Sequence, residues 1–149
     1  MEQILIQEID FQKARKKINE AKKVGKEVIF SSSDDELNRK VLEKEKIDIL
    51  LLNLSKRRDK MKQRDSGFNH VLAKLAKKSD VTLGINFDEI VSSSGKEKVE
   101  VLGRVRQNIK LCNKNKIKMK FISKKSTDIY GLKSLGLTLG MPTWMAKSL

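Results

Sequence analysis

The run Ile47-Asp48-Ile49-Leu50-Leu51-Leu52 limits what this 149-residue chain can fold into more than any other stretch. A near-continuous aliphatic run of that length suits a strand covered on both faces. The segments around it repeat one pattern. Short apolar runs at 3–9, 27–30, 81–86 and 118–123 read as further strands, and segments of helical periodicity lie between them. Strands alternating with helices build right-handed βαβ units and a parallel sheet. Five strands are too few for a closed eight-stranded barrel. The expected fold is therefore α/β with TIM-barrel-like parallel βα units, as a single domain over 1–149 that is an incomplete or shortened barrel. Its first strand would present a free edge, which proteins usually cover or pair, so a partner chain or self-association is expected.

Helix boundaries come from local signals. Phe11 to Val24 has Ala14, Ile18, Ala21 and Val24 on its inner face and ends at Gly25. Ser33-x-x-Glu36 and Ser94-x-x-Glu97 read as capping boxes. The second opens a long helix to about Asn115, with Val101, Leu102, Val105, Ile109 and Cys112 inward and Arg104, Gln107, Lys110 and Lys114 on the far side. A further helix is read from Asp65 or Ser66 as cap, with Phe68, Val71, Leu72, Leu75 and Ala76 as its buried stripe. His70, Lys74 and Lys77 fall on the opposite face. The tail reads as helix from about Tyr130 to Leu139, then a last short helix with Pro142 at its first position. The loops leaving the strand ends, 31–34, 55–67, Asn86 and 123–126, share one rim in such a fold.

Charge is the first clue to function. The net charge is +14 and it is clustered: residues 56–78 carry +7 and residues 104–125 carry +9. Five of the seven arginines, Arg57, Arg58, Arg64, Arg104 and Arg106, lie in these two stretches. Arginine's planar fork suits phosphate better than a point charge does. A basic loop feeding the positive end of a helix dipole favours anions. Together these features point to a polyanion footprint. Aromatic residues are only 5% of the chain, so stacking platforms for single strands are few and backbone and shape should dominate the contact.

Reactive chemistry is scarce. Zinc sites need several His or Cys ligands, and there is one of each, His70 and Cys112. Cys112 falls on an apolar stripe and reads as a core residue. A carboxylate magnesium site would draw on Asp34, Asp35, Asp65, Asp88, Glu89 and Asp128, but Asp34, Asp65 and Asp128 stand where helix caps are wanted. No Walker loop, dinucleotide fingerprint or nucleophile elbow occurs. His70 lacks an evident orienting partner for general-base work and fits better as an RNA-contacting or cap-proximal residue. No run approaches a membrane span and no secretory signal is read at Met1-Glu2-Gln3, so no membrane partner and a cytoplasmic setting are expected.

The stretch Arg64-Asp65-Ser66-Gly67-Phe68-Asn69-His70-Val71-Leu72-Ala73-Lys74 resembles a signature of archaeal ribonuclease P protein component 3, counterpart of the 30-kilodalton subunit of eukaryal ribonuclease P. The likeness continues through Val81–Phe87, Ser92–Gly95, the helix with Leu102, Arg104, Arg106, Asn108 and Lys110, and the tail segments Asp128–Leu132 and Leu139–Met141. It covers about 47–149, and more weakly the chain before that. The resemblance implies a TIM-barrel-like fold and a non-catalytic polypeptide within a holoenzyme. There the ribonuclease P RNA carries the catalytic magnesium, the protein binds no cofactor, and a ferredoxin-like protein subunit pairs with it, often as a heterotetramer. Precursor tRNA, whose 5′ leader is removed, would be met indirectly. The expected RNA-binding residues are Arg57, Arg58, Arg64, His70, Lys74, Lys77, Arg104, Arg106, Lys110, Lys124 and Lys125. Against the family pattern the chain lacks the first two βα units, and Ser123-Lys124-Lys125-Ser126 replaces a Ser-Gly-Ala-like loop. The alternative reading is a metal-dependent phosphoesterase of the polymerase and histidinol phosphatase type, which the single histidine disfavours. A generic basic ribosome-associated protein is the third.

Overall fold

In the computed structural model, which describes residues 2–149, five parallel strands pair in chain order. They are β1 (Gln3–Gln7), β2 (Glu27–Ser31), β3 (Ile49–Leu52), β4 (Thr82–Asn86) and β5 (Met119–Ile122). Ile29 and Phe30 lie opposite Ile49 and Leu50, and Leu51 opposite Gly84, which lies opposite Lys120. Each crossover steps to the next strand in the same direction, the winding of a βα barrel. The expected incomplete barrel is what forms: β1 and β5 each keep an unpaired edge among the described residues.

The helices are α1 (Phe11–Lys23), α2 (Asp35–Lys44), α3 (His70–Lys78), α4 (Phe87–Ser92), α5 (Gly95–Asn115), α6 (Ile129–Thr138) and α7 (Thr143–Lys147). Their apolar faces meet one face of the sheet in a core that includes Val28, Phe30, Leu50, Leu52, Leu83, Ile85 and Met119. The other face carries a smaller apolar cluster of Ile29, Ile49 and Leu51, with Ile122 packed against it. Gly84 makes room for that cluster, because a Cβ on it would stand 3.0–3.2 Å from the side chains of Ile49, Ile122 and Leu51. All four β3 residues are therefore buried, as the aliphatic run predicts. Among the described residues no helix is long and apolar enough to cross a membrane.

Several boundaries differ from the sequence reading, each for a local reason. The helix expected from Asp65 or Ser66 starts at His70, because Asn69 is the residue whose side chain accepts from a first-turn N–H, that of Leu72 at 3.0 Å. Phe68 is buried ahead of the helix. The inward stripe becomes Leu72, Ala73 and Ala76, and Val71 turns outward at 49% exposure. At α2 the cap is Asp34, accepting from Glu36 at 3.0 Å, and not Ser33 in a capping box. Ser94 stands at the N-cap of α5 without a side-chain hydrogen bond, and Pro142 is the N-cap of α7 and not its first helical residue. Asp128 caps α6 as expected.

The largest departure is Arg104. The sequence reading set it on the solvent face of α5, but it is 1% exposed. It follows Val101 by three residues and precedes Asn108 and Cys112 by four and eight, so it lies on the buried stripe. A charge can occupy that stripe because its two terminal nitrogens donate to acceptors of the neighbouring loop, although its Nε is buried without a partner.

Candidate nucleic-acid interface

The segment between β3 and α3, residues 53–69, is basic and long, yet it is braced from several sides. Two of the braces come from helices that follow it in sequence. The Glu89 carboxylate in α4 accepts the N–H groups of Leu54 at 2.7 Å and Ser55 at 3.1 Å, and the Ser55 hydroxyl at 3.2 Å. Buried Arg104 of α5 donates to the carbonyls of Leu54 at 2.7 Å and Arg57 at 2.9 Å, and to Asp59 at 3.0 Å. Asp59 also accepts the Asp65 N–H at 2.8 Å. The Asp65 amide first, and the Arg104 guanidinium second, hold the Asp59 carboxyl below the ordinary carboxylate range.

Arg57 forms the third brace. Its Nε donates to the Asn53 carbonyl at 2.6 Å, and its two terminal nitrogens grip Asp35 of α2 at 2.9 and 3.1 Å. Its guanidinium lies against Gly67, whose φ is +72° and where a Cβ would stand 2.5 Å from Arg57 Nη2. Only glycine meets both conditions without strain. Farther along, Gln107 of α5 donates to the Arg64 carbonyl at 3.0 Å, and the Arg64 guanidinium sits over Gly103, so this cation is laid along α5.

These contacts sort the expected RNA-binding residues. Arg104 is buried and engaged, and Arg57, with an 11% exposed side chain, is paired with Asp35 and stands 3.6 Å from Asp65. Both guanidiniums are thus engaged by protein acceptors, and the burial of Arg104 corrects its expected place on the solvent face of α5. Arg58, Arg64, His70, Lys74, Lys77, Arg106, Lys110, Lys124 and Lys125 are exposed. Lys56, Lys60 and Lys62, in the same loop, are exposed as well. α3 and α5 pack side by side, and Gln107 and Gly103 tie the loop at Arg64 to α5. Lys77 closes the far end of that pair by donating to the Lys116 carbonyl at 3.1 Å.

Lys124 and Lys125 belong to a second rim loop, after β5. Asp88 of α4 accepts the Ser123 hydroxyl at 2.5 Å and the Lys124 N–H at 2.9 Å. Those two donors, the hydroxyl foremost, hold its carboxyl below the ordinary range.

The rim acids that sequence reading weighed as magnesium ligands are thus occupied. Asp35 pairs with Arg57, Glu89 and Asp88 hold loop amides, and Asp65 accepts the Gly67 N–H at 3.0 Å. Among the described residues no three His, Cys, Asp or Glu side chains are grouped to share a metal ion. Cys112 is fully buried, and burial pushes its thiol up to about 12. Sequence reasoning missed the bracing roles of Asp59 and Gln107. The one available signal was the strand-to-helix length of 53–69, too long to stay ordered without side-chain anchors.

The family model described as RNase P subunit p30 matches residues 8–147. Ribonuclease P protein component 3 of Methanococcus maripaludis is 29% identical over 109 residues, 73% of this chain and 44% of that protein. The protein of the same name from Methanothermobacter thermautotrophicus is 27% identical over 133 residues, 89% of this chain and 51% of that one. The chain thus spans about half the length of the curated relatives it matches. A chain in the cryo-EM structure of archaeal ribonuclease P with mature tRNA superposes with a TM-score of 0.79 at 24% identity, over 96% of this chain and 61% of that one. That likeness supports the barrel-type fold. With the family match running over nearly all of its residues, the chain belongs to the RNase P subunit p30 family.

Proposed function

We propose that the chain is a protein subunit of ribonuclease P. In this reading it binds the catalytic RNA and a partner protein, supports endonucleolytic removal of 5′ leaders from precursor tRNA, and leaves the chemistry to magnesium ions held by the RNA. One observation carries the reading. The 53–69 loop is fixed by Glu89, Arg104 and Arg57, and the remaining cations, Lys56, Arg58, Lys60, Lys62 and Arg64, are left in solvent. Fixing cations in advance lowers the ordering cost of binding a phosphate backbone. The acids a phosphoesterase would need are committed to arginines and amides, so that alternative draws no support from the rim.

A protein partner has a natural seat on the unpaired edges of β1 and β5. A ferredoxin-like subunit in a two-plus-two assembly is the partner proposed. The test is reconstitution of ribonuclease P from its RNA and proteins, with and without this chain, over a range of magnesium concentrations. Cleavage of precursor tRNA should fall when the chain is omitted, most of all at low magnesium. Equal cleavage with and without it at every concentration overturns the reading, as does cleavage by the polypeptide alone.

A further inference from the structure

The braced loop ends in a feature that charge alone does not explain. Lys60 and Gln63 form a tight antiparallel bridge, the Lys60 N–H reaching the Gln63 carbonyl at 2.9 Å and the Gln63 N–H reaching back at 3.3 Å. Met61 and Lys62 are the two residues at the tip. Met61 is 99% exposed, more than any other large apolar side chain among the described residues. The base of this tip is fixed by the Arg104 bonds to the Arg57 carbonyl and Asp59, by the Asp59 bond to the Asp65 amide, and by the Gln107 bond to the Arg64 carbonyl. A fully exposed methionine is therefore held out on a rigid arm, with Lys60 and Lys62 beside it.

We infer that Met61 is an apolar contact to a nucleobase, with the lysines on either side engaging the phosphates that flank that base. The inference rests on the RNA-binding reading. Its partner must offer negative charge and an apolar face within a few ångströms of each other. A basic protein surface is excluded by repulsion from Arg58, Lys60, Lys62 and Arg64. A base with its own phosphates supplies both features. The thioether is polarizable, has three rotatable bonds, and packs well on aromatic faces; inserted apolar side chains of this kind unstack base steps. In A-form RNA the deep groove shuts side chains out, so the base is one exposed in a loop, bulge or end.

The same exposure makes the inference testable without disturbing the fold. Met119, Met141 and Met145 are at most 4% exposed, so dilute peroxide should oxidise Met61 well ahead of them. Two measurements on the full chain decide the matter. Affinity and salt dependence are measured for ribonuclease P RNA and for inorganic polyphosphate, which has charge and no bases. Met61→Ser should weaken RNA binding about tenfold, the scale of one buried methionine, with an unchanged salt slope, unchanged polyphosphate binding and an unchanged melting temperature. Met61→Leu should keep most of the affinity. In the second measurement, RNA should protect Met61 from peroxide.

Equal RNA binding by Met61→Ser and the unaltered chain overturns the base contact and leaves the RNA-binding reading standing. Equal weakening for RNA and polyphosphate also overturns it, because the effect would then lie in the loop's charges. Protection of Met61 by an acidic protein subunit and not by RNA reassigns the tip to a protein contact. Failure of the unaltered chain to bind the RNA at all overturns the RNA-binding reading itself.

Discussion

Asp88 and Glu89 are consecutive residues of α4 that hold different loops. Asp88 takes the Ser123 hydroxyl and the Lys124 amide, and Glu89 takes the amides of Leu54 and Ser55. Because α4 follows directly on β4, between β3 and β5 in the sheet, its first turn becomes a bracket between the two basic loops of the rim. The six-residue helix is thus a fixture for cations on either side of it. Negative charge in the first turn also suits the helix dipole, so the bracket is compatible with the helix that carries it.

Arg104 is the inner counterpart of that bracket. Arg104→Ala would leave the Leu54 and Arg57 carbonyls without their donor and Asp59 without its ion pair. Loss of several such bonds at a buried site should cost about 2–4 kcal/mol of stability. Urea unfolding should show the loss, and limited proteolysis should cut first within 53–69. A variant as stable and as protease-resistant as the unaltered chain would show that the guanidinium does not hold the loop.

Gly67 combines a left-handed backbone with the Arg57 guanidinium at its Cα. Gly67→Ala should therefore destabilise by about 1–3 kcal/mol through backbone strain, with the displacement of Arg57 from Asp35 added. Gly25 makes a control, since it is also left-handed, at φ +73°, but has nothing within 4 Å of its would-be Cβ. Gly25→Ala should cost only the backbone share. If thermal melting shows the two variants equally destabilised, the Arg57 contact contributes nothing.

Acid should loosen the rim loops. Asp59 and Asp88 have carboxyls held below their ordinary value, by the Asp65 amide and Arg104 for one and by Ser123 and the Lys124 amide for the other. A depressed folded-state value means that the stabilisation is fully present above the unfolded value, about 3.9 for Asp. It is lost as the pH falls below that value and through the folded one. Stability should thus be level in this contribution above about pH 5 and decline below about pH 4. Asp88→Asn should flatten part of that decline. An acid limb of the same steepness in the variant, followed by urea midpoints at stepped pH, would sink the assignment.

Much of the fold was legible because aliphatic runs and helical periodicity survive in any context. The Ile49–Leu52 strand, the Phe11–Lys23 helix and the long α5 all appear where the pattern places them. Helix starts were harder to read. Asp65, Ser66 and Asn69 are all competent caps, and only the brace on the preceding loop selects Asn69. The site was legible as a region and not residue by residue. The sequence reading put Arg104 on the far side of α5, where a bare charge belongs; the carbonyls of Leu54 and Arg57 that reverse that preference lie some 50 residues away in the chain. The pairing of Arg57 was equally hidden, since its partner Asp35 lies on another helix.

The division between bracing and exposed arginines leads to opposite salt behaviour. A residue that meets a phosphate releases a counterion on binding, so its removal lowers the salt slope by about one unit. Arg64 is exposed and aligned over Gly103 on α5, and Arg64→Ala should lower the slope for RNA binding by that amount. Arg57, with its fork on Asp35 and its Nε on the Asn53 carbonyl, should behave differently. Arg57→Ala should weaken binding by loosening the loop that presents Arg58, Lys60 and Lys62, while the slope stays close to that of the unaltered chain. Titrations at four or five salt concentrations separate the two effects. A lowered slope for Arg57→Ala together with an unchanged slope for Arg64→Ala would reverse the roles assigned to them.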